Sequence, residues 1–158
     1  MDRREFRSLL LDAIDNKENP YHPLVWINGS PEIGDDVYIG GFSEINAKGA
    51  RVHIGRGCDI ASFVAINVAD SHRRTIGLSD KNELQDISIG DYVFIGSHSV
   101  ILGGAEIGHH SVVGAGTVVR GGKIPPFSLV AGNPAVIKPG YYRAEYEAIH
   151  GPWQDDSP

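Results

Sequence analysis

The stretch Ile87-Ser88-Ile89-Gly90-Asp91-Tyr92-Val93-Phe94-Ile95-Gly96-Ser97-His98-Ser99-Val100-Ile101 decides the fold. Ile89, Ile95 and Ile101 fall six residues apart, and the series continues unbroken through Ile107, Val113 and Val119. Glycine follows the aliphatic residue at Gly90, Gly96, Gly108 and Gly114. Two residues before each aliphatic stands a small or β-branched side chain: Ile87, Val93, Ser99, Ala105, Ser111 and Thr117. A helix repeats its apolar positions every three to four residues, and this much glycine and β-branching disfavours it. A meander of hairpins needs turn signals that the period runs straight through. Short strands joined by tight corners fit. The aliphatic points inward, the small residue leaves room for its neighbours, and glycine permits close backbone approach.

Outward from this stretch the register persists. Ile27, Ile33, Ile39 and Ile45 are six apart, as are Ile54, Ile60 and Ile66, while the step from Ile45 to Ile54 is nine and implies a bulge of about three residues. Stacked coils of this kind bury a continuous aliphatic ladder and pair their backbone groups. The expected fold is all-β: a parallel β-helix of stacked short strands, with a helix at each end. Residues 3–15 read as an amphipathic helix with Phe6, Leu9, Leu10, Ala13 and Ile14 as its apolar stripe, expected to cover one mouth of the prism. Residues 67–86 break the repeat with Asp70, His72, Arg73, Arg74, Asp80 and Lys81, and a loop this long in a compact domain usually serves function or is disordered. Ile124-Pro125-Pro126 and Ala131-Gly132-Asn133-Pro134-Ala135 end the coils, Tyr141 to His150 could form a short helix, and Trp153 to Pro158 reads as a loose tail. The organisation expected is one domain over 1–158: a cap at 1–20, coils at 27–66 and 87–131, a loop at 67–86, and a helix and tail at 138–158.

Composition narrows the classes. A net charge of -6 argues against a general nucleic-acid binder, which needs a basic surface. The single cysteine excludes an intramolecular disulfide and suggests a reducing compartment. No apolar run approaches the roughly 20 residues of a membrane span, and the amino terminus does not lead into a signal-peptide core. A cytoplasmic location is the expectation. Cys58, two before Ile60, takes the small inward position and reads as a packed core thiol rather than a nucleophile.

These repeats resemble the hexapeptide-repeat superfamily, whose prisms are left-handed with three hexapeptides per coil; that resemblance implies a left-handed parallel β-helix of roughly four to five coils here. The run from Ile60 to Ile137 resembles, more narrowly, the acetyltransferases that act on maltose, galactosides, xenobiotics and surface-polysaccharide sugars. Three segments carry the likeness: Ala69-Asp70-Ser71-His72; Ile89-Gly90-Asp91-Tyr92-Val93-Phe94-Ile95-Gly96-Ser97; and Val113-Gly114-Ala115-Gly116-Thr117-Val118-Val119 with the later Ile124-Pro125-Pro126 and Ala131-Gly132-Asn133-Pro134. The resemblance implies acetyl-CoA as co-substrate, a sugar-type acceptor and no metal. It also implies a homotrimer with sites between subunits. His72 would be the general base, since a neutral imidazole of ordinary pKa about 6.5 suits proton removal from an attacking hydroxyl or amine. Asp70 and Glu44 are the candidates to orient it. Glu44 stands where galactoside-type relatives carry an acceptor-binding asparagine, a departure that suggests a different acceptor. Phe94, Gly96, Ser97, Gly114 and Ala115 would follow the pantetheine arm, with Phe94 where relatives place a tryptophan. Arg120, Lys123 and Lys138 would meet the CoA phosphates. Here the chain departs twice: Arg120-Gly121-Gly122-Lys123 is longer than usual, and Ala135-Val136-Ile137-Lys138 lacks the common basic residue after Asn-Pro-Ala.

Two other readings use the same prism. A γ-type zinc carbonic anhydrase needs three histidines around one metal, two of them about five residues apart. Here no two histidines have that spacing, and His109-His110 would point to opposite faces of a strand. A non-catalytic scaffold for protein interaction would need neither the loop histidine nor the closing Gly-Asn-Pro segment.

Overall fold

Strand side chains alternate, so a residue two before an inward isoleucine also faces inward. That rule sets the interior of the computed structural model, which describes residues 1–154. The chain enters through α1 (Arg3–Ala13) and then winds five coils of three short strands each. Coil 1 holds β1 (Trp26–Gly29), β2 (Glu32–Ile33) and β3 (Tyr38–Ile39), and coil 2 holds β4 (Glu44–Ala47), β5 (Val52–Ile54) and β6 (Asp59–Ile60). Coil 3 begins with β7 (Ala65–Asn67) and is interrupted by β8 (Ala69–Asp70), α2 (His72–Thr75) and β9 (Glu83–Leu84). It resumes with β10 (Ile87–Ile89) and β11 (Phe94–Ile95). Coil 4 holds β12 (Val100–Leu102), β13 (Ala105–Ile107) and β14 (Val112–Val113), and coil 5 holds β15 (Val118–Val119), β16 (Gly122–Ile124) and β17 (Leu129–Ala131). β18 (Val136–Lys138) and α3 (Arg143–His150) follow.

Successive coils pair in parallel into three sheets. Sheet A collects the first strand of every coil, sheet B the second, and sheet C the third. β18 was not expected; it closes sheet C by pairing antiparallel with β17, through Leu129–Lys138, Val130–Ile137 and Ala131–Val136. Ile27, Ile45, Ile66, Ile101 and Val119 stand in register down sheet A. Ile33, Ile54, Ile89, Ile107 and Ile124 do the same down sheet B. Most of these side chains are fully buried, and each contributes roughly 1.5–3 kcal/mol by leaving water.

The small inward residue turns out to be a connector. Buried Ser43, Ser99 and Ser111 each donate to a carbonyl of the next coil, at Ala61 (3.0 Å), Gly114 (3.0 Å) and Pro125 (3.3 Å). Their oxygens accept in turn from Val64, Thr117 and Ser128 N–H. Cys58 fills the same role, with Sγ 3.1 Å from the Gly90 carbonyl. Burial pushes its thiol pKa up, so it stays protonated. It is a packed core thiol, as its position suggested.

α1 is two residues shorter than the 3–15 expected and is capped by Asp2. The Asp2 carboxylate accepts from Arg4 and Glu5 N–H, while Glu5 returns a bond to Asp2 N–H. Its expected apolar stripe is buried only in part. Phe6 and Leu9 are exposed, and the one buried side chain is Leu11 at 3 %. The reason lies just downstream. Val25 already belongs to the core with Tyr21 packed on it, and the helix is held by Arg7, whose guanidinium donates to the Asn19 and Tyr21 carbonyls, each at 2.6 Å.

Departures from the six-residue step all fall at one corner, between sheets A and B. The step is nine from Ile45 to Ile54, 23 from Ile66 to Ile89, and five from Val119 to Ile124. The other two corners keep the step of six throughout.

Candidate active site

The long A–B excursion is a structured hairpin. β8 and β9 pair antiparallel through Ala69–Leu84 and Asp70–Glu83, and α2 forms a single helical turn beyond them. Ser71 stands at the start of that turn and His72 is its first residue, which folds the imidazole back over Asp70. His72 Nδ1 lies 2.6 Å from Asp70 Oδ1, and the His72 N–H donates to the same oxygen at 2.9 Å. The backbone bond first, then the imidazole bond, hold the Asp70 carboxyl below the usual carboxylate range. An ionised Asp70 can only accept, so Nδ1 is the donor in this pair, and the neutral tautomer that matches it leaves the lone pair on Nε2. The hairpin is further braced by Arg73–Glu83 (3.4 Å) and Arg74 Nε to Asn82 Oδ1 (2.7 Å). A polar cleft of about 480 Å³ opens at its root, between Asp70, Glu83, Gln85, Asn67 and Arg120.

The remaining candidates are distributed around the prism. Glu44 lies on the outer side of sheet A, where its carboxylate accepts from Asn28 Nδ2 at 3.1 Å; its bond is not to His72. Phe94 stands outward on sheet C at 41 % exposure, in register with Asp59 and Val112. Gly96 and Ser97 begin the C–A corner of coil 3, and Gly114 and Ala115 that of coil 4, joined by Gly116 N–H to the Ser97 carbonyl at 2.9 Å. In a triangular coil the A–B corner faces away from sheet C, so one chain holds His72 and Phe94 on opposite sides. The three basic candidates do not converge. Arg120 lines the cleft under the hairpin, Lys123 pairs with Glu106 on sheet B at 3.5 Å, and Lys138 stands over the Tyr141 ring on β18, 5.6 Å from its centre.

The histidines outside the hairpin have structural neighbours. His53 faces Glu32 at 3.5 Å, and His98 stacks on Phe63 with centroids 4.8 Å apart. His109 and His110 occupy a corner rather than a strand, with Nδ1 atoms 2.9 Å apart, so the expectation of opposite faces fails. His110 takes φ 55, which turns its ring back beside its neighbour. Among the described residues no three His, Cys, Asp or Glu side chains are grouped to hold a metal.

The family model for bacterial transferase hexapeptide (six repeats) matches residues 86–121. A putative acetyltransferase of Saccharomyces cerevisiae is 36 % identical over 115 residues, covering 67 % of this chain and 57 % of the relative. A hexapeptide-repeat-containing acetyltransferase of Vibrio cholerae O1 biovar eltor, solved with acetyl coenzyme A, superposes with a TM-score of 0.66 at 29 % identity, covering 87 % of this chain and 76 % of that one. A galactoside acetyltransferase solved with coenzyme A superposes with a TM-score of 0.58 at 26 % identity, covering 89 % and 82 %. The chain thus carries the bacterial transferase hexapeptide repeat over 86–121, and the proteins its prism is similar to are named as acetyltransferases. It spans between about a quarter and somewhat over half the length of the curated relatives it matches, from 26 % to 57 % among those with the longest alignments.

One feature of this hexapeptide-repeat protein escaped the sequence reading. At the B–C and C–A corners the third residue after the inward aliphatic takes positive φ and is often aromatic: Phe42, Phe63, Tyr92, His98, His110 and Phe127. These stack along the prism edges. Phe42, Phe63 and His98 form a ladder at the C–A corner, and Tyr92, His110 and Phe127 line the B–C corner. The signal was present in the sequence, since each of them stands three residues after an inward aliphatic. Trp153, expected in a loose tail, packs at that B–C corner with its ring stacked on His109 at 4.7 Å. The rest of the expected tail, 155–158, lies outside the described residues.

Proposed function

We propose that this chain is an acetyl-CoA-dependent acetyltransferase acting on a hydroxyl, or alternatively an amine, of a sugar or sugar-derived acceptor. The observation that carries the reading is the Asp70–His72 pair on a hairpin projecting from a rigid prism. Rigid scaffolds with projecting loops are favoured settings for catalysis. Support for the class comes from structural relatives named as acetyltransferases, two of them solved with acetyl coenzyme A or coenzyme A, and for a sugar acceptor from names such as galactoside and polySia-specific acetyltransferase.

Acetyl-CoA supplies the acyl group as a thioester. Asp70 holds the imidazole through Nδ1, and Nε2 takes the proton from the acceptor as its oxygen or nitrogen bonds to the acetyl carbon. The imidazolium then returns that proton to the departing CoA sulfur, so the base is regenerated. The C–A corner fits an extended amide-bearing arm. Ser97, Ala115 and Gly116 have small or no side chains there, a Cβ on Gly116 would meet nothing within 4 Å, and exposed Phe94 offers an apolar wall. Arg120, without an ion pair among the described residues, is the basic side chain left to meet a phosphate. Because His72 and Phe94 lie on opposite sides of one chain, the complete site takes its base from one copy and its arm-binding corner from another. A trimer meets that requirement with three equivalent sites.

The test is CoA thiol release with wild type and His72→Ala against sugars, amino sugars and nucleotide sugars. Loss of the base should lower turnover by roughly 10²–10⁴-fold with acetyl-CoA binding intact. An unchanged rate would remove His72 from the mechanism, and no turnover on any acceptor would sink the acetyltransferase reading.

A further inference from the structure

The hairpin that carries His72 is seated by features of coil 2. Asn46 and Asn67 lie side by side on the outer side of sheet A, at the A–B corner. Asn46 Nδ2 donates to Asn67 Oδ1 at 3.0 Å, and the same oxygen accepts from the Ala69 N–H at 2.9 Å, the first residue of β8. Asn46 Oδ1 accepts from the Lys48 N–H at 3.1 Å, at the start of the three-residue bulge. That bulge in turn touches the returning strand. Leu84 of β9 packs on Gly49, where a Cβ would lie 2.9 Å from Leu84 Cδ1, and the Arg51 N–H donates to Asp86 Oδ1 at 2.8 Å.

Backbone bonds hold the departing strand at Val68, whose N–H donates to the Asn46 carbonyl at 3.2 Å and whose carbonyl accepts from Gln85 N–H at 3.0 Å. The next N–H, that of Ala69, is held by a side chain instead: Asn67 Oδ1 binds it, and Asn46 fixes that oxygen from the coil below. Ala69 is followed directly by Asp70, which grips His72, so the chain of bonds runs from coil 2 to the imidazole within a few residues. The amide loses nothing that an apolar side chain could not supply to the prism itself, because Leu102 occupies the same register position one coil on.

We infer that Asn67, held by Asn46, is a positioning residue that sets the place of His72 in the proposed acetyl transfer. This rests on the acetyltransferase reading for its kinetic arm but not for its structural one. Four proteins are compared: wild type, Asn67→Leu, Asn67→Asp and Asn46→Ala. Leucine keeps the packing of the Leu102 position and removes the acceptor; aspartate keeps an oxygen that can receive both N–H groups. Asn67→Leu should lower kcat by about 10- to 100-fold, the scale of a small misplacement of a reacting group, with the KM for acetyl-CoA and the thermal midpoint unchanged. Asn67→Asp should recover most of the rate, and Asn46→Ala should fall between. Amide exchange at Ala69 should speed up in the leucine variant and stay slow in the aspartate one. Wild-type kcat in Asn67→Leu, or a rate loss that tracks a fall in melting temperature and is not recovered by aspartate, would overturn the inference. So would unchanged Ala69 exchange in Asn67→Leu. If wild type transfers acetyl to no acceptor, the enzyme reading fails while the exchange measurement still decides whether Asn67 anchors the hairpin.

Discussion

Gly96 and Gly114 occupy equivalent places in consecutive coils, yet they meet different neighbours. A Cβ on Gly96 would lie 2.5 Å from the backbone nitrogen of Ala115 in the next coil, whereas one on Gly114 would find its nearest atom, Ala131 Cβ, at 3.6 Å. The difference is positional: coil 5 is the last, and nothing stacks tightly over that corner. Gly96→Ala should therefore cost about 1–3 kcal/mol through overpacking, and Gly114→Ala should stay within about 0.5 kcal/mol of wild type. Thermal or urea unfolding of the pair checks this, and equal losses would show that the glycines serve conformation rather than close approach. At this scale the inward residues were legible because stacking enforces their period. The choice between Asp70 and Glu44 as partner of His72 was not, because two residues of sequence separation do not fix a side chain's direction. It took the helical turn starting at His72 to bring the carboxylate under the imidazole.

At the scale of elements, α3 and the segment after it are clasped to the B–C corner by rings. Trp153 contacts His109, His110 and Phe127, and Tyr146 contacts His110 and Phe127. Burial above all, then the nearby His109 and His150, disfavour a charged His110, and Asp91 only partly opposes them. Arg56 stands over Tyr92 in the same groove and adds positive charge. The folded pKa of His110 is thus depressed. Its contribution to docking is complete above the ordinary imidazole value of about 6.5 and is lost as pH falls through the lower folded value. In a Trp26→Phe background, which leaves Trp153 as the sole tryptophan, acidification should expose Trp153 and shift its emission to longer wavelength. His110→Phe should abolish the acid-induced shift while keeping the clasp, since Phe127 already holds φ 59 at the equivalent corner. A shift that persists in that variant would place the titration elsewhere. The clasp was illegible in sequence because its rings come from a corner and a terminal segment some 40 residues apart, with no period to link them.

Across the whole molecule the three sheets differ in outward chemistry. Sheet B presents Glu32, His53, Ser88, Glu106 and Lys123 in register. Sheet C presents Tyr38, Asp59, Phe94, Val112 and Leu129, and the C–A edge carries Phe42 and Phe63 at 55 % and 49 % exposure. An apolar edge beside a largely apolar sheet suits the association that the proposed shared site requires. Phe63→Glu should dissociate the proposed assembly in sedimentation analysis and abolish the proposed acetyl transfer while leaving the coils folded. A monomer that keeps full activity on dilution would contradict a shared site. The prism itself was readable because one residue in six cannot vary without loss of core. The outer surface was less so, because it answers to partners and not to the period.

The placement of every irregular step at the A–B corner gives the prism something like a reading frame. The other two corners repeat one tight turn in every coil, with positive φ at the third residue after the inward aliphatic, and an added or lost residue there would break that turn. At the A–B corner, length changes of minus one, plus three and plus seventeen relative to six already coexist with an undisturbed core. That edge works as a splice point, where a lineage can lengthen or exchange its chemistry-bearing hairpin while the scaffold beneath reads on in phase.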